Sequence, residues 1–339
     1  MDDRDTTRRT LLRAGGIGLG ALAAAEMVPA VSSAAPAEDN LWTHEYWAKK
    51  GAVSLYMYRK RRGQPVAGQK PLPVLVLVHG SSLSGRTSMD LTVPGAGEYS
   101  LMNVFARLGF DVWTMDFEGY GRSGRTDGNS DIKSGVADLK AAAEVLIRET
   151  GQKKFSFLGE SSGALRAAAF AMAQPDNVDR LVLTALTYTG KGSPTLEKRA
   201  EQVEFYRTHN RRKRDRAMIE SIFTRDKPGT SDPRVAEAIV KAEMPFGDTV
   251  PTGTYLDMTA NLPVIDPAKI MAPVQVVRGE YDGIATDADL LDFFEKLPNQ
   301  DRQFIVIAGA AHGVASSYNR ARFWHMAHAF LTMPAGQSV

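Results

Sequence analysis

Apolar strand-like runs that alternate with amphipathic helical stretches predict an α/β protein with a mostly parallel, doubly wound sheet and an inserted helical cap. Pro73-Val74-Leu75-Val76-Leu77-Val78 is apolar on both faces, as a central parallel strand must be. The same alternation continues through a strand over Phe110 to Asp116, a helix over Ile132 to Thr150, a strand over Lys154 to Leu158 and a helix over Ser162 to Gln174. Leu181 to Leu186, Val274 to Val277 and Gln303 to Ile307 supply three further strands, and Arg320 to Leu331 a last helix. Val53 to Arg59 alternates as a half-buried edge strand does. Between Tyr188 and Pro263 the strand pattern stops, and Thr195 to Tyr206, Arg214 to Phe223 and Pro233 to Ala242 read as helices joined by turns such as Lys227-Pro228-Gly229. The expected organisation is therefore a leading segment over 1–37, core over 38–187, helical cap over 188–263 and core again over 264–339.

Composition narrows the function. Lys plus Arg number 41 against 39 Asp plus Glu, a formal charge of +2, which leaves no electrostatic footprint for nucleic acid. The absence of Cys removes disulfides, thiolate metal sites and a Cys nucleophile. Thr7-Arg8-Arg9-Thr10-Leu11-Leu12-Arg13 precedes an apolar run rich in Gly and Ala, then small residues around Ala35-Pro36-Ala37. This resembles a twin-arginine export signal, with cleavage after Ala35 or Ala37. The segment carries Arg4, Arg8, Arg9 and Arg13 against Asp2, Asp3, Asp5 and Glu26, so its removal leaves the net charge unchanged. A soluble protein outside the cytoplasm, without stable membrane insertion, is the expectation. The basic run Arg211-Arg212-Lys213-Arg214, followed by Asp215 and Arg216, either binds an anionic group or forms a solvated helix face, and is read as the solvated face.

Gly159-Glu160-Ser161-Ser162-Gly163 follows a strand and opens a helix, where two glycines permit a tight corner that projects Ser161 Oγ. A serine hydroxyl needs a base to take its proton and an acid to orient that base. Both are sought at later strand ends. Asp282 stands in Arg278-Gly279-Glu280-Tyr281-Asp282 and His312 in Ala308-Gly309-Ala310-Ala311-His312-Gly313, giving the order Ser161, Asp282, His312. Glu280 is the competing acid, placed closer to its strand and read as structural. His325 and His328 are read as surface or packing residues, His44 and His209 have no strand-end context, and His79 is assigned to holding its loop. No metal site or cofactor is expected. Backbone donors for an oxyanion are assigned to Ser162 and to the His79-Gly80-Ser81-Ser82 loop, most simply Ser81, with Ser82 as the alternative.

Taken with Asp116-Phe117-Glu118-Gly119-Tyr120-Gly121-Arg122-Ser123, these motifs resemble the α/β-hydrolase superfamily over roughly residues 50 to 335. The resemblance implies the α/β-hydrolase fold, a helical cap over the site and a covalent acyl-enzyme. Ser161 excludes the alkyl-enzyme route of dehalogenases and epoxide hydrolases, which place Asp there. The expected activity is hydrolysis of a small-molecule carboxylic ester; amides, lactones, carbon-carbon bonds and acyl transfer use the same triad, and the fold also serves silent binding proteins. Phe205, Tyr206, Phe223, Phe246 and Tyr255 either line the substrate site or pack the cap onto the core. One sequence leaves the oligomeric state open.

Overall fold

The computed structural model describes residues 40–334; the expected export segment lies outside them. In chain order the core opens with β1 (Leu41–Lys50), β2 (Val53–Arg62), β3 (Val74–Val78), α1 (Gly85–Met89), α2 (Leu101–Arg107), β4 (Asp111–Met115), α3 (Ile132–Thr150), β5 (Phe155–Glu160), α4 (Ser162–Ala173) and β6 (Val178–Thr184). A second set of elements follows, α5 (Pro194–Ala200), α6 (Val203–Thr208), β7 (Arg211–Lys213), α7 (Arg216–Ile222), α8 (Pro233–Glu243), β8 (Thr249–Pro251) and α9 (Gly253–Leu256). The chain then returns to the core with β9 (Val274–Gly279), α10 (Asp287–Glu295), β10 (Arg302–Ile307) and α11 (Arg320–Leu331).

The eight-stranded sheet runs β1-β2-β4-β3-β5-β6-β9-β10. From β4 to β10 every pairing is parallel, while β1, β2 and β4 pair antiparallel. This is the α/β-hydrolase fold. Period-two alternation divides β3 between two cores: Val74, Val76 and Val78 pack with residues of α3 and α4, and Leu75 and Leu77 with residues of α2 and α11. Strands buried on both faces must be apolar throughout, which is why the central runs stood out in the sequence.

Two expectations are corrected. Val53 to Arg59 is not an edge: β2 lies between β1 and β4 and is buried from Leu55 to Arg61. The edge on this side of the sheet is β1, whose Leu-Trp-Thr-His-Glu-Tyr-Trp-Ala-Lys-Lys run has no clean alternation because half of it is exposed. The polar side chains of β2 that looked solvent-facing are paired instead. Arg59 donates Nε to Asp111 Oδ1 at 2.8 Å and Nη2 to Oδ2 at 2.6 Å, a two-pronged buried ion pair from β2 to β4, and its guanidinium lies 4.9 Å from the Trp113 ring.

The second correction concerns Arg211 to Arg214, which do not form a solvated helix face. Arg211–Lys213 form β7, paired antiparallel with β8. Arg214 is buried and ion-paired with Glu243, at the end of α8. Glu243 Oε1 also accepts from the Ser84 amide at 2.5 Å and Oε2 from Ser84 Oγ at 3.0 Å, while Arg214 Nη2 donates to the Gly247 carbonyl at 2.7 Å. Residues of the α5–α9 region are thereby tied to the turn that follows β3. Removing one member of a buried pair leaves an uncompensated charge, which typically costs about 3–5 kcal/mol. Glu243→Ala is expected to lower unfolding stability by about that amount, measured as a shift of the urea midpoint, against a much smaller loss for the exposed Glu237→Ala.

Candidate active site

The corner at Ser161 is set by steric exclusion. Ser161 occupies φ 58°, ψ −124°, a region that side chains rarely adopt, between β5 and α4. Two glycines make this corner possible. A Cβ on Gly163 would lie 2.2 Å from the Val78 carbonyl oxygen and 2.6 Å from that of His79, and one on Gly159 would lie 2.5 Å from the Gly163 carbonyl oxygen. The helix start therefore packs directly onto the end of β3, which brings the Gly80 to Ser82 turn alongside Ser161.

That turn is held on several sides. His79 is fully buried; its Nδ1 donates to the Gly80 carbonyl at 2.8 Å and its Nε2 accepts from the Phe117 amide at 3.2 Å, an assignment fixed because a carbonyl only accepts and an amide only donates. Burial, with Arg166 nearby, pulls the imidazole pKa down to about 3. The Tyr120 hydroxyl donates to the Ser81 carbonyl at 2.9 Å. Thr254 Oγ1 donates to Ser81 Oγ at 2.8 Å, and Ser81 Oγ donates to Ser162 Oγ at 2.9 Å. Neither the Ser81 nor the Ser162 amide donates a hydrogen bond among the described residues. The Asp116 to Ser123 stretch braces the same region: Asp116 accepts from the Gly85 amide at 2.7 Å and from the Arg122 amide at 2.9 Å. A Cβ on Gly121 would lie 2.1 Å from Asp116 Oδ2.

Asp282 and His312 come together from the loops after β9 and β10. His312 Nδ1 donates to Asp282 Oδ1 at 2.9 Å, and both residues are buried. Burial alone would raise the Asp282 carboxyl, but the His312 ring and the Ile284 amide, 3.0 Å away, outweigh it and hold the carboxyl below its ordinary range. Ser161, Glu160, His312 and the Gly80 to Ser82 turn border one cavity of about 50 Å3. Ser161 and His312 are not hydrogen-bonded to each other. Glu280 faces elsewhere and accepts from the Gly309 amide at 2.7 Å, a loop brace. His325 is exposed, and His328 lies edge-on to Phe110 at 6.2 Å.

Sequence reasoning missed what the α5–α9 region contributes. A carboxylate oxygen of Asp226, one of Asp282 and a ring nitrogen of His312 all lie within 4.8 Å of one another. No spacing in the sequence links position 226 to the other two. A cleft of about 530 Å3 adjoins the small cavity and shares Ser82, Arg199 and Arg225 with it. Tyr206 and Tyr255 line this cleft, whereas Phe223 packs among Leu91, Val93 and Tyr99, and Phe205 is exposed and stacked on His209.

Comparisons with known proteins agree on the fold. The family model described as serine aminopeptidase, S33, matches residues 92–316, a span that contains Ser161, Asp282 and His312. A 2-hydroxy-6-oxononadienedioate/2-hydroxy-6-oxononatrienedioate hydrolase of Paraburkholderia phymatum is 32% identical over 128 residues, which is 36% of this chain and 38% of that protein's length. The 2-hydroxy-6-oxo-6-phenylhexa-2,4-dienoate hydrolase of Rhodococcus sp. strain RHA1 superposes with TM-score 0.61 at 18% identity, covering 85% of this chain and 99% of the other. A carboxylesterase of Bacillus subtilis superposes with TM-score 0.59 at 16% identity, covering 87% and 93%.

Two outcomes test this geometry. Gly163→Ala places a methyl group against immovable carbonyls and is expected to abolish labelling at Ser161 by a fluorophosphonate, read by intact-protein mass. For His79, the unfolded chain takes up a proton near pH 6.5 that the folded chain refuses until about pH 3. Stability from this residue is complete above pH 6.5 and is lost as pH falls through that window. His79→Asn is therefore expected to flatten the decline of the urea midpoint between about pH 6.5 and 4.

Proposed function

Because the chain belongs to the serine aminopeptidase S33 family of α/β-hydrolases, we propose that it is a serine hydrolase that cleaves carboxylic esters through an acyl-enzyme on Ser161. The observation that carries this is the shared cavity: Ser161 at its positive-φ corner faces the same space as His312, whose Nδ1 is occupied by Asp282. With Nδ1 held, Nε2 is the ring nitrogen free to act as base. Ser161 Oγ attacks the ester carbonyl as Nε2 takes its proton, and the Ser81 and Ser162 amides stabilise the tetrahedral oxyanion. His312 returns the proton to the leaving alcohol. Water, deprotonated by the same nitrogen, then releases the acid and regenerates the serine.

The cleft argues against an aminopeptide substrate. An α-ammonium group needs carboxylate partners, and among the described residues the cleft presents Lys198, Arg199, Arg212 and Arg225 against the single acid Asp226. Carbon-carbon bond hydrolysis on the same triad is the alternative, favoured by the partial likeness to the hydrolase of Paraburkholderia phymatum. The Thr7 to Arg13 segment and the apolar run after it support export, so the proposed site of action is outside the cytoplasm.

A panel of p-nitrophenyl esters from acetate to long acyl chains tests the proposal. Turnover that falls by about 10^4-fold or more in Ser161→Ala, and by about 10^3- to 10^4-fold in Asp282→Asn, is expected. No ester turnover, with cleavage of a vinylogous 1,5-diketone, would replace the ester assignment with the carbon-carbon one.

A further inference from the structure

The cleft beside the Ser161 cavity is strongly cationic and its charges are poorly satisfied. Arg199 lines both the cleft and the cavity. Its Nη1 is buried and has no hydrogen-bond partner among the described residues. Such an orphaned donor is uncommon and calls for an explanation. Burial, then the neighbouring Arg225, pulls the Arg199 pKa down to about 10, which leaves it charged at neutral pH. The Tyr255 ring sits 5.2 Å from the Arg199 guanidinium and 4.6 Å from that of Arg212, so one aromatic ring contacts two like charges without neutralising either. Asp226, the acid among the described residues that line the cleft, is engaged through Oδ1, by Arg225 Nε at 3.7 Å and by Thr195 Oγ1 at 3.3 Å, while its Oδ2 is buried without a hydrogen-bond partner among the described residues. Arg212 gives Nη1 to the Tyr206 hydroxyl at 3.3 Å.

We propose that the cleft recognises a carboxylate on the substrate, seated against Arg199 and Arg212 while the scissile carbonyl lies at Ser161. The inference rests on the serine-hydrolase function proposed above and names its substrate class: esters of diacids, or others that carry a carboxylate away from the reacting carbonyl. Planar guanidinium groups bind a carboxylate through paired N–H donors, and partial desolvation strengthens the contact.

The test compares two alkyl fluorophosphonates of equal length, one ending in a carboxylate and one in a methyl group, by their rates of labelling Ser161. The parent is expected to favour the carboxylate probe by about tenfold, with the preference shrinking as salt is raised. Arg199→Gln should bring the ratio close to one, and Arg199→Lys, which keeps the charge without the planar fork, should retain part of it. Arg212→Gln makes the same test at the second guanidinium beside Tyr255 if Arg199→Gln does not fold. Labelling of the parent without a carboxylate preference, or a preference unchanged in both glutamine variants, overturns the anion site and leaves the serine chemistry standing. Failure of both probes to label the parent overturns the serine chemistry and the anion site together.

Discussion

The close approach of two backbones is the constraint from which the site follows. The start of α4 packs against the last carbonyls of β3 at a distance no side chain tolerates, so Gly163 and Gly159 are required and Ser161 is forced into its positive-φ corner. The same contact lays the Gly80 to Ser82 turn beside Ser162. A strained serine and two amides unengaged among the described residues thus come from one packing event, and the surrounding hydrogen bonds from His79, Tyr120 and Thr254 keep the turn in place. Strain of this kind persists only where neighbouring structure over-determines it.

A second coupling joins the α5–α9 region to that turn. Glu243 is buried and binds Arg214 of its own region together with Ser84 of the core. The segment that carries Arg199, Arg212 and Asp226 is therefore not an independent lobe laid over the sheet. Its charges stand at fixed positions relative to Ser161 and to the Asp282 and His312 pair, and fixed charge is what lets a site discriminate between substrates of similar shape.

Much of the core was legible because doubly buried parallel strands must be apolar along their whole length, and because corners such as Gly159 to Gly163 and Gly279 to Asp282 admit few residue types. That pattern singled out Asp282 and His312, which the structure brings to hydrogen-bond distance. The edge strand β1 was hidden by the opposite circumstance: half exposed and rich in charge, it has no constraint strong enough to leave a pattern. Arg214 looked like one of a solvated basic run because its partner Glu243 lies 29 positions away and nothing local announces it. Asp226 and Arg199 were invisible for the same reason. Their significance comes from long-range placement beside the site, and a charged residue on a short helix or turn reads as surface until the fold brings it inward.

The most direct test of the central claim is rapid-quench mass spectrometry during turnover of a p-nitrophenyl ester, with the adduct located by peptide mapping. The account predicts a burst of p-nitrophenol matched by one acyl group on Ser161, in the peptide that spans the β5 to α4 corner. Steady turnover in which Ser161→Ala is as fast as the parent, or an acyl group trapped on another residue, would contradict it.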